Sequence, residues 1–397
     1  IERLKQLRMK VVDGLRVRFK PSEADLVDAY EYGYQFGCTL QNKENPKKRS
    51  ARKTLVKCVI CGEIFDSSVE VCPVCGAGRE HFVPVEAEET AYHRDTKDFY
   101  VILGNGAAGF QAAKAIRERD RTGSILMISN EPYSAYNRPM LTKSIMADLQ
   151  ADQIAIENQQ WYEENNIIQV LGREVIAIDT QSQEVELEDG TRLRYSKLIY
   201  ALGSECFIPP IPGTDKKQVV AIRRLSDTQK IAALLPGVKN VVVIGGGVLG
   251  LIGVEFAYLL NRLGSKVTVL ELSPQLMGRQ LDEPASEMLR LASESQGIEI
   301  LTGVQIVEIQ GDDKVTGVCL GDQKVLPADL VIVSCGVRAN VGIAQKTGIQ
   351  TDRAVLVNDK METNISGIYA CGDCAEYQGI NYAIWPEASE QGKVAGA

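Results

Sequence analysis

Residues 99–119, FYVILGNGAAGFQAAKAIRER, decide how this chain is read. Phe99–Leu103 is a short apolar run of strand type, and residues 111–119 carry the spacing of a helix. Between them stands Gly104-Asn105-Gly106-Ala107-Ala108-Gly109, a G-x-G-x-x-G turn. In such a turn the first glycine makes the bend. The second lets backbone approach a pyrophosphate, and the third lets helix and strand pack closely. The helix N-terminus then offers N–H groups to phosphate oxygens. Residues 124–128 read as the next strand, and Glu131, 22 residues beyond Gly109, stands where a ribose-binding acid belongs. Asn130 beside it is an alternative for that role.

The same pattern returns downstream. The apolar residues 241–244 lead into Gly245-Gly246-Gly247-Val248-Leu249-Gly250, and Glu271 follows 21 residues after Gly250. An acid there bonds a ribose 2′-hydroxyl and repels a 2′-phosphate, so NADH is expected over NADPH. Two strand–turn–helix units imply an α/β chain with two dinucleotide-binding domains. Upstream, Cys58, Cys61, Cys72 and Cys75 form C-x2-C-x10-C-x2-C, with Gly62 and Gly76 after the pairs. Four thiolates at this spacing predict a tetrahedral metal site, and sulfur ligation suits zinc or iron. The spacing alone leans to zinc.

The remaining composition bounds the alternatives. The 397 residues allow two or three domains, and 45% hydrophobic with 24% charged residues is ordinary for folded protein. A net charge of -8 argues against a nucleic-acid surface, and no apolar run approaches a membrane span. Ten cysteines with two close pairs point to a reducing compartment, so a cytoplasmic location is expected. The chain opens on Ile1 and ends at Ala397 inside an expected helix, and both ends read as cut. Leu15, Val17 and Phe19 alternate with Arg16, Arg18 and Lys20 as in a strand; Ser22, Leu26, Ala29, Tyr30 and Gly33 then suggest a helix. Residues 41–57 are rich in Lys and Arg, and residues 63–89 hold seven acids and one Arg. The basic run reads as a solvated linker or as a strap for an acidic surface. His81 and His93 receive no role.

Several segments carry a resemblance. Tyr136-Asn137-Arg138-Pro139-Met140-Leu141-Thr142-Lys143, Ala201-Leu202-Gly203 and Ile368-Tyr369-Ala370-Cys371-Gly372-Asp373 resemble the NADH:rubredoxin reductase branch of the pyridine-nucleotide flavoenzymes. The resemblance implies FAD bordered by Arg138, Pro139, Ala201, Gly203 and Gly336, with Asp373 at the ribityl chain or pyrophosphate. It implies that Lys143 approaches flavin N5 and pairs with a glutamate after the second glycine turn. Relatives place that glutamate two residues beyond the last glycine. Here Ile252 stands there and Glu255 is the candidate, as if the helix carried three extra residues. Leu202 replaces the usual threonine. Cys371 and Cys374 invite a redox-disulfide reading, set aside because Gly372 and Asp373 have a flavin role. Cys206, Cys319 and Cys335 are expected to be packed, and a disulfide reductase is rejected.

Residues 57–82 resemble rubredoxin-like modules through Cys72-Pro73-Val74-Cys75-Gly76 and Phe82, which implies one iron in the four-cysteine site. Residues 15–34 resemble the last strand and helix of the flavodoxin-like domain of flavodiiron proteins. This implies FMN and di-iron in an upstream region of the same polypeptide. The expected parse is 1–40, end of a flavodoxin-like domain; 41–54, basic linker; 55–84, rubredoxin-like metal domain; 85–97, linker; 98–212, first part of an FAD-binding domain; 213–330, NAD-binding domain; 331–397, second part of the FAD-binding domain, truncated. The implied function is electron transfer from NADH to FAD, then to iron, then to a flavodiiron oxygen or nitric oxide reductase. The alternatives are a reductase feeding another oxidoreductase and a zinc-ribbon redox sensor. Expected partners are NADH, the upstream region and further copies of the chain, with no nucleic acid and no membrane.

Overall fold

A computed structural model describes residues 55–60, 64–71, 77–84, 93–142, 145, 149–247, 258, 260–261 and 264–397. The strand and helix expected within 1–37 and the basic run 41–54 lie outside these residues. The chain divides into two compact units, residues 1–91 and 92–397.

In the first unit Leu55–Cys58 pairs antiparallel with Ile64–Asp66 on one side and Phe82–Pro84 on the other. Cys58 stands opposite Phe82 in that register and is buried among Val56, Val69, Ala77 and Phe82. The Val59 amide donates to the His81 carbonyl at 2.9 Å, which holds the start of the first cysteine loop against the third strand.

The second unit contains two parallel sheets. The first has the order Ile368–Ala370, Lys197–Tyr200, Phe99–Leu103, Ser124–Ser129, Ile167–Leu171. Its central strand Phe99–Leu103 and residues 125–128 of the next are unbroken apolar runs because both faces are covered there. Val101, Leu103, Leu126, Ile128, Leu198 and Tyr200 pack on one face with Val175, Ile178, Val185 and Leu187 of an antiparallel three-stranded sheet. Ile102, Ile125, Met127 and Ile199 pack on the other, against the helices Ala107–Arg119 and Trp385–Gly396. Those helices cross closely: a Cβ at Gly392 would strike the Ala108 carbonyl, and one at Gly396 the Ala112 carbonyl. The first helix starts at Ala107, earlier than residue 111. Ala107, Ala108 and Gly109 show no apolar periodicity, yet the helix begins directly after its N-cap Gly106.

The second sheet has the order Val219–Val220, Leu330–Val333, Asn240–Ile244, Lys266–Glu271, Glu299–Thr302, again all parallel. The segments joining the two halves, Ser204–Cys206 and Val337–Ala339, pair with each other as an antiparallel ribbon. Leu330–Val333 and Val337–Ala339, which return the chain to the first half, are two strands with Gly336 at φ 100° between them. Among the described residues no helix is long and apolar enough to cross a membrane.

Candidate functional site

A cleft of about 840 Å³ opens where the carboxyl ends of both sheets meet. This is where open α/β sheets place ligands. Gly104 follows its strand at φ 101°, and a Cβ there would strike the Ala201 carbonyl. A Cβ at Gly109 would strike the Gly104 carbonyl. Both glycines are required by packing within the protein. Gly106 differs: a Cβ there would meet nothing within 4 Å. It caps the helix without a side-chain bond, and it lines the cleft with Ala107 and Ala108. The first-turn N–H groups thus border open space within the cleft.

Glu131 and Asp373 are two of the acids that line the same cleft. Glu131 is 7% exposed. Tyr136 Oη donates to its Oε2 at 2.6 Å, and Arg138 pairs with its Oε1. Burial, reinforced by the Glu131 charge, pushes the Tyr136 pKa up, so this hydroxyl stays a donor. Tyr136 Oη also accepts from Arg138 Nη1 at 2.9 Å and from the Leu225 amide at 3.2 Å. Asn130 lies exposed at the cleft wall, and Pro139 is exposed at its rim. The second acid, Asp373, follows Gly372 at φ 81°. Ser204 Oγ donates to its Oδ2 at 2.8 Å, and Arg223 Nη2 donates to the same oxygen at 2.6 Å. Arg138 Nη1 reaches the Arg223 carbonyl at 2.8 Å, which joins the two acid sites into one network. Ala201 is buried, Gly203 turns at φ 65°, and both line the cleft, as does Gly336.

The second glycine turn repeats part of this arrangement. Gly245 stands at φ 109°, and a Cβ there would strike the Ser334 carbonyl. Around Gly247 a Cβ would meet nothing within 4 Å. Glu271 accepts from the Gly246 amide at 2.6 Å and from the Ser273 amide at 2.7 Å, so both its oxygens are fixed beside the turn. The open faces at Gly106 and Gly247, each with an acid at the end of the following strand, fit one dinucleotide apiece. Lys143, Val248, Leu249, Gly250 and Glu255 lie outside the described residues, and so do Cys61, Cys72 and Cys75.

The thiols of Cys371 and Cys374 are buried. Cys374 Sγ donates to the carbonyls of Cys371 at 3.3 Å and Tyr200 at 3.4 Å. Burial pushes the Cys374 thiol up to about 12 and the Cys371 thiol well above its ordinary value. Two such thiols are poor nucleophiles, in keeping with packing. Cys319 is buried as expected, whereas Cys206 forms part of the cleft wall and is only half-buried, with Sγ 3.6 Å from the Ile222 carbonyl. The strand Ser204–Cys206 runs along the cleft, burying Ser204 but leaving Glu205 exposed and Cys206 half-buried. Arg223 and Ser204 escaped the sequence reading. Arg223 sits in no recognisable motif, Ser204 closes the segment 198–204 without a role of its own, and each meets Asp373 only through the fold.

Relatives share this part of the chain. A nitrite reductase [NAD(P)H] of Bacillus subtilis is 41% identical over 296 residues, covering 74% of this chain and 36% of that protein. The NADH-rubredoxin oxidoreductase of Clostridium acetobutylicum is 34% identical over 296 residues, 75% of this chain and 73% of that one. Its crystal structure matches with a TM-score of 0.66 at 33% identity, over 76% of this chain and 74% of that chain. A ferredoxin reductase from Rhodopseudomonas palustris matches with a TM-score of 0.72 at 30% identity, over 76% and 75%. The chain spans 36% to 65% of the lengths of the first curated relatives it matches. The pyridine nucleotide-disulphide oxidoreductase family model matches residues 99–392. With two parallel sheets, each with a strand that leads into a glycine turn, and this match over residues 99–392, the chain belongs to the pyridine nucleotide-disulphide oxidoreductase family.

Proposed function

We propose that this chain is an NADH-dependent flavoprotein reductase. In this reading it passes electrons through FAD to a rubredoxin-like iron centre and on to a flavodiiron oxygen or nitric oxide reductase module. The observation that carries the reading is the cleft in which Gly106, Glu131 and Asp373 meet, in a chain that repeats the glycine turn and acid at Gly247 and Glu271. Bound FAD supplies a hydride acceptor that can release electrons singly. The N–H groups of Ala107 and Ala108 would hold its pyrophosphate. Glu131 would accept ribose hydroxyls, and Asp373 a ribityl hydroxyl. Arg138 and Arg223 pair with the two acids and would offset the phosphate charge. Glu271 would bond the 2′-hydroxyl of NADH and repel a 2′-phosphate. Lys143 and Glu255 are the proposed catalytic pair.

Cys58, Cys61, Cys72 and Cys75 would hold one iron, which carries single electrons, whereas zinc would be redox-silent. The burial of Cys58 opposite Phe82 supports a closed thiolate site. Metal analysis and a visible spectrum of the purified chain separate iron from zinc. Cys61→Ser should leave NADH reduction of FAD intact and stop transfer to the terminal acceptor. Terminal turnover that survives loss of the metal would overturn the path. A second reading, a reductase feeding another oxidoreductase, is favoured by the 41% identity to a nitrite reductase. NADH would then still reduce the iron, but the full-length protein would turn over neither oxygen nor nitric oxide.

A further inference from the structure

Glu131 and Asp373 are braced alike, each by one buried hydroxyl and one arginine, but the oxygens differ. At Glu131 the two donors take different oxygens, Tyr136 on Oε2 and Arg138 on Oε1. At Asp373 both donors converge on Oδ2. Arg223 Nε also donates to the Ser204 carbonyl at 2.8 Å, closing a ring of three residues drawn from distant parts of the chain. Oδ1 of Asp373 takes no bond from any described residue. The backbone beneath it is fixed, because the Asp373 carbonyl accepts from Asn381 Nδ2 at 2.9 Å. The rotation of the carboxylate about its last bond is therefore what decides where Oδ1 points.

The two donors control that rotation unequally. Arg223 has a long side chain that can follow a rotated carboxylate. Ser204 cannot: it is 4% exposed, its side chain is one bond long, and its strand is pinned by the pairing of Ser204 with Ala339. We propose that Ser204 is a positioning residue for cofactor binding, whose hydroxyl holds Asp373 in the rotation that offers Oδ1 to a polyol hydroxyl of the bound flavin dinucleotide. Arg223 supplies charge and Ser204 supplies direction. The inference rests on the reading that Asp373 meets that cofactor.

The test uses the full chain stripped of flavin and titrated with FAD, with the unfolding temperature of the flavin-free protein as a second readout. Ser204→Ala should raise the FAD dissociation constant about tenfold, the worth of one hydrogen bond to a carboxylate. Because the hydroxyl also bonds Asp373 before flavin binds, the flavin-free variant should unfold at a somewhat lower temperature than wild type but stay folded under the conditions of the titration. Asp373→Ala should weaken FAD more, and adding Ser204→Ala to it should change nothing further, since the serine acts through the aspartate. Wild-type FAD affinity in Ser204→Ala, with Asp373→Ala impaired, overturns the role of Ser204 alone. An additive effect in the double variant overturns it too. Wild-type affinity in Asp373→Ala overturns both this inference and the reading beneath it.

Discussion

Arg223 and Asp373, 150 residues apart in sequence, meet in an ion pair at 2.6 Å, with their side chains 21% and 12% exposed. Arg223 lies just before the helix Leu225–Leu234, and Asp373 lies just after the strand Ile368–Ala370. The pair therefore fastens the segment entering the second sheet to the closing motif of the first. The Arg223 carbonyl, held by Arg138, extends the link to Glu131. Arg223 thus pairs with Asp373 through its side chain and is linked to Glu131 through Arg138.

Removing that arginine should be felt twice. Arg223→Met leaves a largely buried carboxylate with only the serine donor, which should cost about 2 kcal/mol of stability. The same change removes the positive charge next to the proposed pyrophosphate site. FAD affinity should fall at least about tenfold, and Arg223→Lys should recover part of it, because lysine restores charge but not the fork that reaches both Asp373 and Ser204. Urea unfolding and FAD titration of the two variants check the two effects separately.

Two glycines of one turn should behave oppositely. Gly106 adopts φ -73°, which any residue can take, and a Cβ there meets nothing within 4 Å. Gly106→Ala should fold with wild-type stability and lose FAD, because the methyl group occupies the space of the phosphate. Gly104 stands at φ 101° with the Ala201 carbonyl against it. Gly104→Ala should lose about 2 kcal/mol or more of stability from backbone strain, before any effect on binding. Loss of stability in Gly106→Ala as large as in Gly104→Ala would show that the turn serves folding only.

What was legible in the sequence follows from how local each signal is. Phe99–Leu103 and the turn after it are consecutive residues whose spacing alone implies strand, bend and helix. Glu131 was legible because the distance from a glycine turn to the end of the next strand is set by the helix between them. Its partner Tyr136 is only five residues on, yet nothing in the sequence says that its hydroxyl turns back to the acid. Ser204 lies 169 residues from Asp373, so that contact exists only once both sheets are closed. Cys206 misled for the same reason: an isolated cysteine reads as packed, and only the course of its strand puts it on the cleft wall.

Coenzyme choice should rest on Glu271. Its carboxylate is held by the amides of Gly246 and Ser273, so its charge is fixed at the end of the strand Lys266–Glu271. Glu271→Gln keeps an acceptor for a ribose hydroxyl but removes the repulsion of a 2′-phosphate. The ratio of kcat/KM for NADH over NADPH should fall about tenfold, which corresponds to roughly 1.4 kcal/mol. Steady-state reduction of an artificial electron acceptor with each coenzyme measures it. An unchanged ratio would place coenzyme selection elsewhere.

Acid sensitivity should trace in part to Asp120, which is 3% exposed and caps the end of the helix Ala107–Arg119. Burial opposes its charge, but the Thr96 hydroxyl and the amides of Gly123, Thr122 and Thr96 outweigh that and hold its carboxyl well below the usual carboxylate range. The Gly123 amide donates at 2.7 Å, the Thr122 amide at 3.0 Å and the Tyr100 hydroxyl at 2.9 Å. A carboxylate whose pKa is lower folded than unfolded stabilises the fold above the unfolded value, near 4, and loses that contribution as pH falls toward the folded value. At pH 7 Asp120→Asn should therefore cost about 2 kcal/mol. Between about pH 4 and pH 2 the gap between wild type and variant should narrow, because the wild-type carboxyl takes up its proton on unfolding. Urea unfolding of both proteins at pH 7, 5, 4 and 3 tests this. A gap that stays constant across the series would mean that the network acts by packing and not by charge.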